Sequence, residues 1–253
     1  MDTYSIQKFY RILQASRNLC VFTGAGISVP SGIPDFRSAD GLYNRESGLS
    51  VPPEQIISRS FFDAHPTEFY SYYKKNMLFL DAKPNEAHRY FAALESPARS
   101  VSVVTQNIDG LHTAAGSTEV YELHGSVHRN FCMRCKKRYD ARFVAQSKGV
   151  PRCSCGGIVK PDVVLYEEPL DEHIVRGAVD AIRRADTLVV VGTSLVVYPA
   201  ASFLQYFCGK HLVLINRSHT ALDGAAELAF YEDVTEVIRA LQIFEKTEMN
   251  KDS

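Results

Sequence analysis

Leu19-Cys20-Val21-Phe22-Thr23 runs directly into Gly24-Ala25-Gly26-Ile27-Ser28. The first five residues are apolar up to the closing threonine, too few for a helix, and followed by glycines. They read as a buried strand entering a tight turn. The same pattern recurs along the chain. Val101-Ser102-Val103-Val104-Thr105 enters a polar loop, Thr187 to Val191 enters Gly192-Thr193-Ser194, and Leu212-Val213-Leu214-Ile215 enters Asn216. Shorter strands are expected at Val120-Tyr121-Glu122-Leu123 and Glu227-Leu228-Ala229-Phe230. Helical stretches separate these runs, which predicts an α/β fold with a parallel sheet. Each run closes on small or hydrogen-bonding residues at its carboxyl side, where ligands settle in open α/β sheets.

Two segments break the alternation. Residues 41–84 form an insertion of mostly helical pattern, rich in rings such as Phe61, Phe62, Phe69, Tyr70, Tyr72 and Tyr73. Residues 131–158 carry Cys132-x-x-Cys135 and, after 17 further residues, Cys153-x-Cys155. Each tight turn aims two thiolates at one point, as tetrahedral zinc requires. Four thiolates close the coordination, so the ion is expected to be structural rather than catalytic. Gly156-Gly157 leaves the backbone free to close the site. The basic run Arg134, Lys136, Lys137 and Arg138 reads as a solvated face of that lobe. The remaining segments, 1–40, 85–130 and 159–253, would form a larger nucleotide-binding domain beside a small domain made of the helical and zinc-binding modules.

Of 253 residues, 45% are hydrophobic and 23% charged, a balance that supports a full globular core. A net charge of −1 gives no electrostatic reason to expect nucleic acid or an anionic membrane as a partner. Cys20 and Cys208 lie in apolar surroundings and are expected to be buried thiols, and thiolates available to zinc fit a reducing compartment. Met1 to Gln14 is polar and helical, with no signal-peptide pattern. The most apolar stretch, Leu188 to Leu204, is interrupted by Gly192 and Pro199 and reads as a strand leaving through a loop into a helix. A cytoplasmic protein is expected.

The glycine turn admits two readings. Gly24 and Gly26 would let the backbone approach a pyrophosphate, with N–H groups at a helix start favouring its charge. A plain strand-to-helix turn needs the same residues, and Val29 stands where the dinucleotide fingerprint wants a third glycine. The next stretch is more specific: Gly32-Ile33-Pro34-Asp35-Phe36-Arg37 presents an acid, a ring and a guanidinium on a stiffened loop, suited to folding over a ribose and its base. Further on, Gln106-Asn107-Ile108-Asp109-Gly110 and Leu123-His124-Gly125 concentrate hydrogen-bonding groups beyond the needs of a connection.

Taken in order, Gly24-Ala25-Gly26-Ile27-Ser28, Gly32 to Arg37, Thr105 to Asp109, Leu123-His124-Gly125 and Gly192-Thr193-Ser194 resemble the motifs of the sirtuins, over roughly Leu13 to Leu241. The resemblance implies a Rossmann-like domain with a small domain of zinc and helical modules, and an NAD-dependent protein-lysine deacetylase. NAD would be consumed as a co-substrate. The acyl-lysine oxygen would displace nicotinamide from the ribose, and His124 would help activate a ribose hydroxyl against the resulting imidate. Lysine, nicotinamide and O-acetyl-ADP-ribose would leave. An imidazole titrates near neutral pH, which suits His124 to that task.

By the same resemblance Asn107 joins His124 in catalysis, and Asn107, Ile108 and Asp109 hold the ribose and the nicotinamide amide. An Asx turn before Gly110 would use Asn107 or Asp109 as well. Gly24, Ala25, Gly26, Ser28, Asp35, Phe36, Arg37 and Gln106 would meet the nicotinamide-side ribose and phosphates. Gly192, Thr193, Ser194 and Asn216 would meet the phosphates and adenosine ribose, with Val234 flanking the adenine or serving as plain core. An acetylated-lysine protein substrate would add as a strand between Val164-Leu165-Tyr166 and Val196, with Val164 lining the lysine channel. Many relatives have glycine at the position of Glu167. Relatives that remove acidic acyl groups carry Tyr-x-x-Arg where this chain has Tyr70-Ser71-Tyr72-Tyr73, so apolar acyl groups are expected here. The alternatives are a protein ADP-ribosyltransferase using the same NAD cleavage, a deacylase for longer apolar groups, and a nucleotide-sensing zinc scaffold without turnover.

Overall fold

The computed structural model describes residues 1–36, 41–42 and 51–250. Nine strands are assigned among them: β1 (Asn18–Thr23), β2 (Ser100–Thr105), β3 (Glu119–Glu122), β4 (Gly125–Cys132), β5 (Arg138–Tyr139), β6 (Val159–Val163), β7 (Thr187–Val191), β8 (His211–Ile215) and β9 (Leu228–Phe230). All six strands read from the sequence are present. Strands β3-β2-β1-β7-β8-β9 form one sheet in that order, every pair parallel. The chain moves outward from β1 through β2 to β3, then returns to β1's other edge and moves outward again. The order therefore reverses between β1 and β7, the place where open α/β sheets bind ligands.

Residue alternation explains why the strands are apolar throughout. Val21, Val103, Val189 and Val213 face one side, packed with α1 (Thr3–Ala15), α5 (Glu86–Ala93) and α9 (Val234–Met249). Cys20, Phe22, Val104, Val190 and Leu214 face the other, packed with α8 (Glu172–Arg184) and a 3-10 helix at Ala200–Tyr206. Both faces are covered, so neither can be polar. Asp171 and Asp233 cap α8 and α9 by accepting backbone N–H bonds, placing both helix starts on the side of the strands' carboxyl ends. No helix of the described residues is long and apolar enough to cross a membrane.

Beside the large sheet lies a three-stranded antiparallel one, ordered β5-β4-β6. Helices α2 (Pro53–Ile56), α3 (Arg59–Ala64) and α4 (Pro66–Asn76) pack on it. Ile56, Phe62, Phe69, Tyr70 and Tyr73 share one buried cluster with Val127, Val159, Val163 and Leu165. Tyr70 donates its hydroxyl to the Val159 carbonyl. The aromatic insertion and the cysteine lobe therefore bury a common core. Cys20 is buried as expected, but Cys208 is exposed: it lies beyond the last turn of the 3-10 helix, where nothing covers it. The remaining short helices are α6 (Leu111–Ala114) and α7 (Ala141–Gln146).

Between α5 and α6 two histidines meet in the core. His88 and His112 are fully buried, ring centroids 4.8 Å apart. Burial pushes the pKa of His88 down to about 4 and lowers that of His112 well below the ordinary value. The unfolded chain thus binds a proton that the folded chain resists. Stability is complete above the unfolded value near 6.5 and is lost as pH falls below it. For His88 alone, going from pH 7 to pH 5 should cost about 2 kcal/mol. Urea unfolding at both pH values checks this, and an unchanged midpoint would contradict it.

Candidate active site and metal centre

The turns that follow β1 and β7 touch backbone to backbone. Gly26 donates its N–H to the Gly192 carbonyl at 2.8 Å, and Gly24 donates to Val191 at 3.0 Å. A Cβ on Gly26 would come within 2.6 Å of the Gly192 Cα, and one on Gly192 within 2.4 Å of the Ile27 nitrogen. Gly192 also has φ +60. The immediate use of these glycines is to let two loops meet. The turn after Gly24 continues as a 3-10 helix, Ala25–Ser31, with Pro30 inside it, not as the α-helix that a dinucleotide fingerprint begins. Aligned helix N–H groups are correspondingly fewer there.

Above this contact opens a cleft of about 850 Å³, bordered by the carboxyl ends of the central strands and by the segment after β6. That volume lies within the range of small-molecule sites. His124 stands on its wall, between β3 and β4. Its Nδ1 lies 2.8 Å from the Gln106 carbonyl oxygen. A carbonyl only accepts, so Nδ1 carries the proton and Nε2 keeps its lone pair. Burial lowers the pKa of His124, partly offset by the bond to Gln106, so the ring is a neutral base at pH 7. Gly125, at φ +76, passes so close to β6 that a Cβ would strike the Asp162 carbonyl at 1.9 Å. The His124 carbonyl accepts from Val164 N–H at 3.0 Å, tying the base to the segment after β6.

The polar loop is a hydrogen-bonded unit. Gln106 donates through Nε2 to Thr193 Oγ1 at 3.1 Å, linking the ends of β2 and β7. Asn107 donates through Nδ2 to the Gly24 carbonyl and to Ser28 Oγ, both at 3.1 Å, so its carboxamide oxygen is the group these bonds do not use. Ser28 donates to Asp109 Oδ2 at 2.7 Å, and Leu111 N–H donates to Oδ1 at 2.9 Å, forming the Asx turn. Burial raises the pKa of Asp109, while the bonds from Leu111 and Ser28 oppose that rise. Beneath the loop, Thr23 donates to Thr105 Oγ1 at 2.8 Å and lies 3.0 Å from His112 Nε2, while Thr105 Oγ1 accepts the Asn107 N–H at 3.0 Å.

The four paired cysteines converge. Sγ of Cys132 and Cys155 are 3.5 Å apart, as are those of Cys135 and Cys153, and all four lie within 4.8 Å of one another. Disulfides bond at about 2.05 Å. A tetrahedral ion with Zn–S near 2.3 Å spaces its sulfurs by about 3.8 Å, so the residues present fit zinc. A Cβ on Gly157 would approach Cys132 Sγ to 2.7 Å, the steric reason for glycine there. Hydrogen bonds from the Cys155 N–H and the Tyr139 hydroxyl push the Cys153 thiol down to about 5, towards the thiolate that a metal needs.

The Sir2 family profile matches residues 24–199. The chain belongs to the Sir2 family. An NAD-dependent protein deacetylase of Clostridium perfringens (strain 13 / Type A) is 54% identical over 235 residues, spanning 92% of this chain and 96% of that protein. A solved complex of Sir2 with a p53 peptide and NAD+ is 37% identical with a TM-score of 0.81, covering 96% of this chain and 99% of that one. Another, of Sir2 with deacetylated p53 peptide and 3'-O-acetyl ADP ribose, is 38% identical with a TM-score of 0.82, covering 93% and 96%.

In this Sir2 family member the sequence-predicted residues gather from several strand ends. From the first turn, Gly24, Ala25, Gly26, Asp35 and Phe36 border the cleft, and Arg37 lies outside the described residues. The polar loop contributes Gln106, Asn107 and Ile108. The later strand ends contribute Gly192, Thr193, Ser194 and Asn216, with Val234 at the start of α9. Ser28 and Asp109 border instead a side cavity of about 40 Å³ that shares Ala25, Phe36, Asn107 and Ile108 with the cleft. Val164, Leu165 and Tyr166 border the cleft, whereas Val196 is exposed away from it and Val197 takes the wall.

Sequence reasoning missed Met77 and Phe79, which border both cavities. They sit in Met77-Leu78-Phe79-Leu80, an apolar run indistinguishable from helix core in one dimension. Conversely, Tyr70 and Tyr73 meet edge to face inside the buried aromatic cluster, Tyr73 stacking on Phe69, and do not border the cleft. His112, which lies beneath the loop 3.0 Å from Thr23 Oγ1, was also missed; its place two residues after Gly110 was the available signal. Cys153→Ala should release one zinc per chain and unfold the small sheet. Metal analysis with near-ultraviolet circular dichroism reads both, and a folded, metal-bound variant would refute the four-thiolate site.

Proposed function

We infer that this chain is an NAD-dependent protein-lysine deacetylase, releasing lysine, nicotinamide and O-acetyl-ADP-ribose. The observation that carries the reading is His124: its Nδ1–H is committed to the Gln106 carbonyl, which leaves Nε2 a free base on a cleft at the sheet's switch point. NAD, when bound, supplies a cleavable nicotinamide–ribose bond and the hydroxyls that receive the acetyl group. His124 Nε2 takes the proton from such a hydroxyl. Burial matters here, because it keeps the imidazole uncharged and ready at neutral pH.

The other roles rest on what each group has left to offer. Asn107 presents a carboxamide oxygen held still by its two bonds, fit to stabilise positive charge developing at the ribose. Asp109 and Ser28, beside the side cavity, suit the nicotinamide amide, with Ile108 and Phe36 enclosing its ring. Gln106, Thr193, Ser194 and Asn216 fit the riboses and phosphates, and Val234 the adenine. Arg37 would join the phosphates by its place in sequence. Val164, Leu165, Tyr166 and Val196 would receive the acetylated-lysine segment of a protein substrate. Met77 and Phe79 make the adjoining wall apolar, which suits an acetyl group. We assign residues 1–40, 85–130 and 159–253 to the NAD-binding domain, 41–84 to the helical module and 131–158 to the zinc module. Thiolate ligation of zinc suits a reducing, cytoplasmic setting.

An acetyl-lysine peptide incubated with NAD should yield the deacetylated peptide and nicotinamide in equal amounts. Protein-bound ADP-ribose instead would support ribosyl transfer. His124→Ala should lower kcat/KM by about 10²–10⁴-fold while NAD still binds. Since the base must be unprotonated and its pKa is lowered, the acidic limb of kcat/KM should fall below pH 6.5. A loss of less than about tenfold in the variant would remove His124 from the chemistry.

A further inference from the structure

Among the described residues only Lys136, Glu167 and Leu195 combine a side chain with a positive φ. Lys136 belongs to a cysteine turn. Glu167 and Leu195, at φ +75 and +57, stand on the two segments proposed to receive the peptide. Backbone strain of this kind gathers at ligand-binding sites. Glu167 is exposed and borders the cleft.

Surrounding bonds hold Glu167 in place. The preceding residue is pinned on both sides, with Tyr166 N–H donating to the Ile57 carbonyl at 3.1 Å and Arg59 N–H donating to the Tyr166 carbonyl at 2.9 Å. The Glu167 carboxylate then accepts the backbone N–H and the hydroxyl of Ser60, each at 2.9 Å. These bonds orient it without neutralising it. The nearby cations are committed to other acids: Arg59 pairs with Asp63 and Glu168, and Lys160 pairs with Glu168. Among the described residues no lysine or arginine is within ion-pair distance of Glu167. A fixed, uncompensated negative charge therefore stands on the edge along which an extended peptide would lie.

We propose that Glu167 is a specificity-determining residue that makes this enzyme favour acetyl-lysine segments carrying a lysine or arginine beside the modified residue. The proposal rests on the deacetylase reading. A strand laid beside Val164 and Tyr166 carries its flanking side chains past residue 167, where a cation meets the carboxylate and an acid is repelled. Because the pair is solvent-exposed, the preference should be modest, about two- to five-fold per charge, and should shrink in salt.

The test uses three acetyl-lysine peptides that differ only in bearing lysine, glutamine or glutamate next to the acetylated residue. Binding is followed by fluorescence anisotropy and turnover by nicotinamide release, at low and at high salt, for the native enzyme and Glu167→Gln. Glutamine keeps the size and removes the charge, and it can still hold Ser60 by accepting the backbone N–H on its carboxamide oxygen and donating its NH2 to the hydroxyl. The expected result is an affinity order lysine, glutamine, glutamate in the native protein, collapsing towards equality in the variant and in high salt. An order that persists in Glu167→Gln, or no order in the native protein, overturns the assignment. If the peptides bind in that order but none is deacetylated, the charge preference stands and the deacetylase reading fails.

Discussion

The contact between the Gly26 N–H and the Gly192 carbonyl is the constraint on which the rest of the site depends. It joins the end of β1 to the end of β7 at the one place where the sheet changes direction. With no room for a Cβ on either side, both turns are glycine, and the cleft above them is open to the backbone. Gln106 and Asn107 then bridge outward from this contact, to Thr193 on one side and to Gly24 and Ser28 on the other. The polar loop is thereby fixed to the turns that leave β1 and β7, which are themselves locked together by the glycine contact.

His124 inherits its state from the same frame. Its tautomer is set by a backbone carbonyl of the loop, and its main chain is tied through Val164 to the segment that borders the cleft beyond it. One residue thus senses both sides of the site. Gly125 makes this possible, since any side chain there would push β4 away from β6.

The zinc lobe acts at a distance by the same logic. Its strands β4 and β6 pair at Gly125 and Val163, so His124 and Val164 lie side by side at one end of the small sheet, while its core is shared with Phe62, Phe69 and Tyr73 of the helical insertion. Loss of the metal would loosen the edges of the cleft without touching the groups that line it. The pairing of Glu168 with Lys160 and Arg59, and of Glu167 with Ser60, continues this bracing along the segment after β6.

Periodicity and spacing were enough for the parallel sheet and the four cysteines, because strand ends and thiolate turns are local signals that carry their meaning in a few adjacent residues, whereas the residues expected at the cleft came from the resemblance to the sirtuins. Cys-x-x-Cys states its own geometry, and a buried strand states its own burial. What only the tertiary structure decided was relational. That Gly24 and Gly26 serve a partner turn more than 160 residues away, that Met77 and Phe79 border the cleft while Tyr70 and Tyr73 do not, that Cys208 is exposed, and that the Glu167 carboxylate bonds to Ser60 with no ion-pair partner among the described residues all depend on which residues become neighbours. Neighbours distant in sequence are chosen by packing and by the competition of every donor for an acceptor, and no single stretch of chain records that outcome.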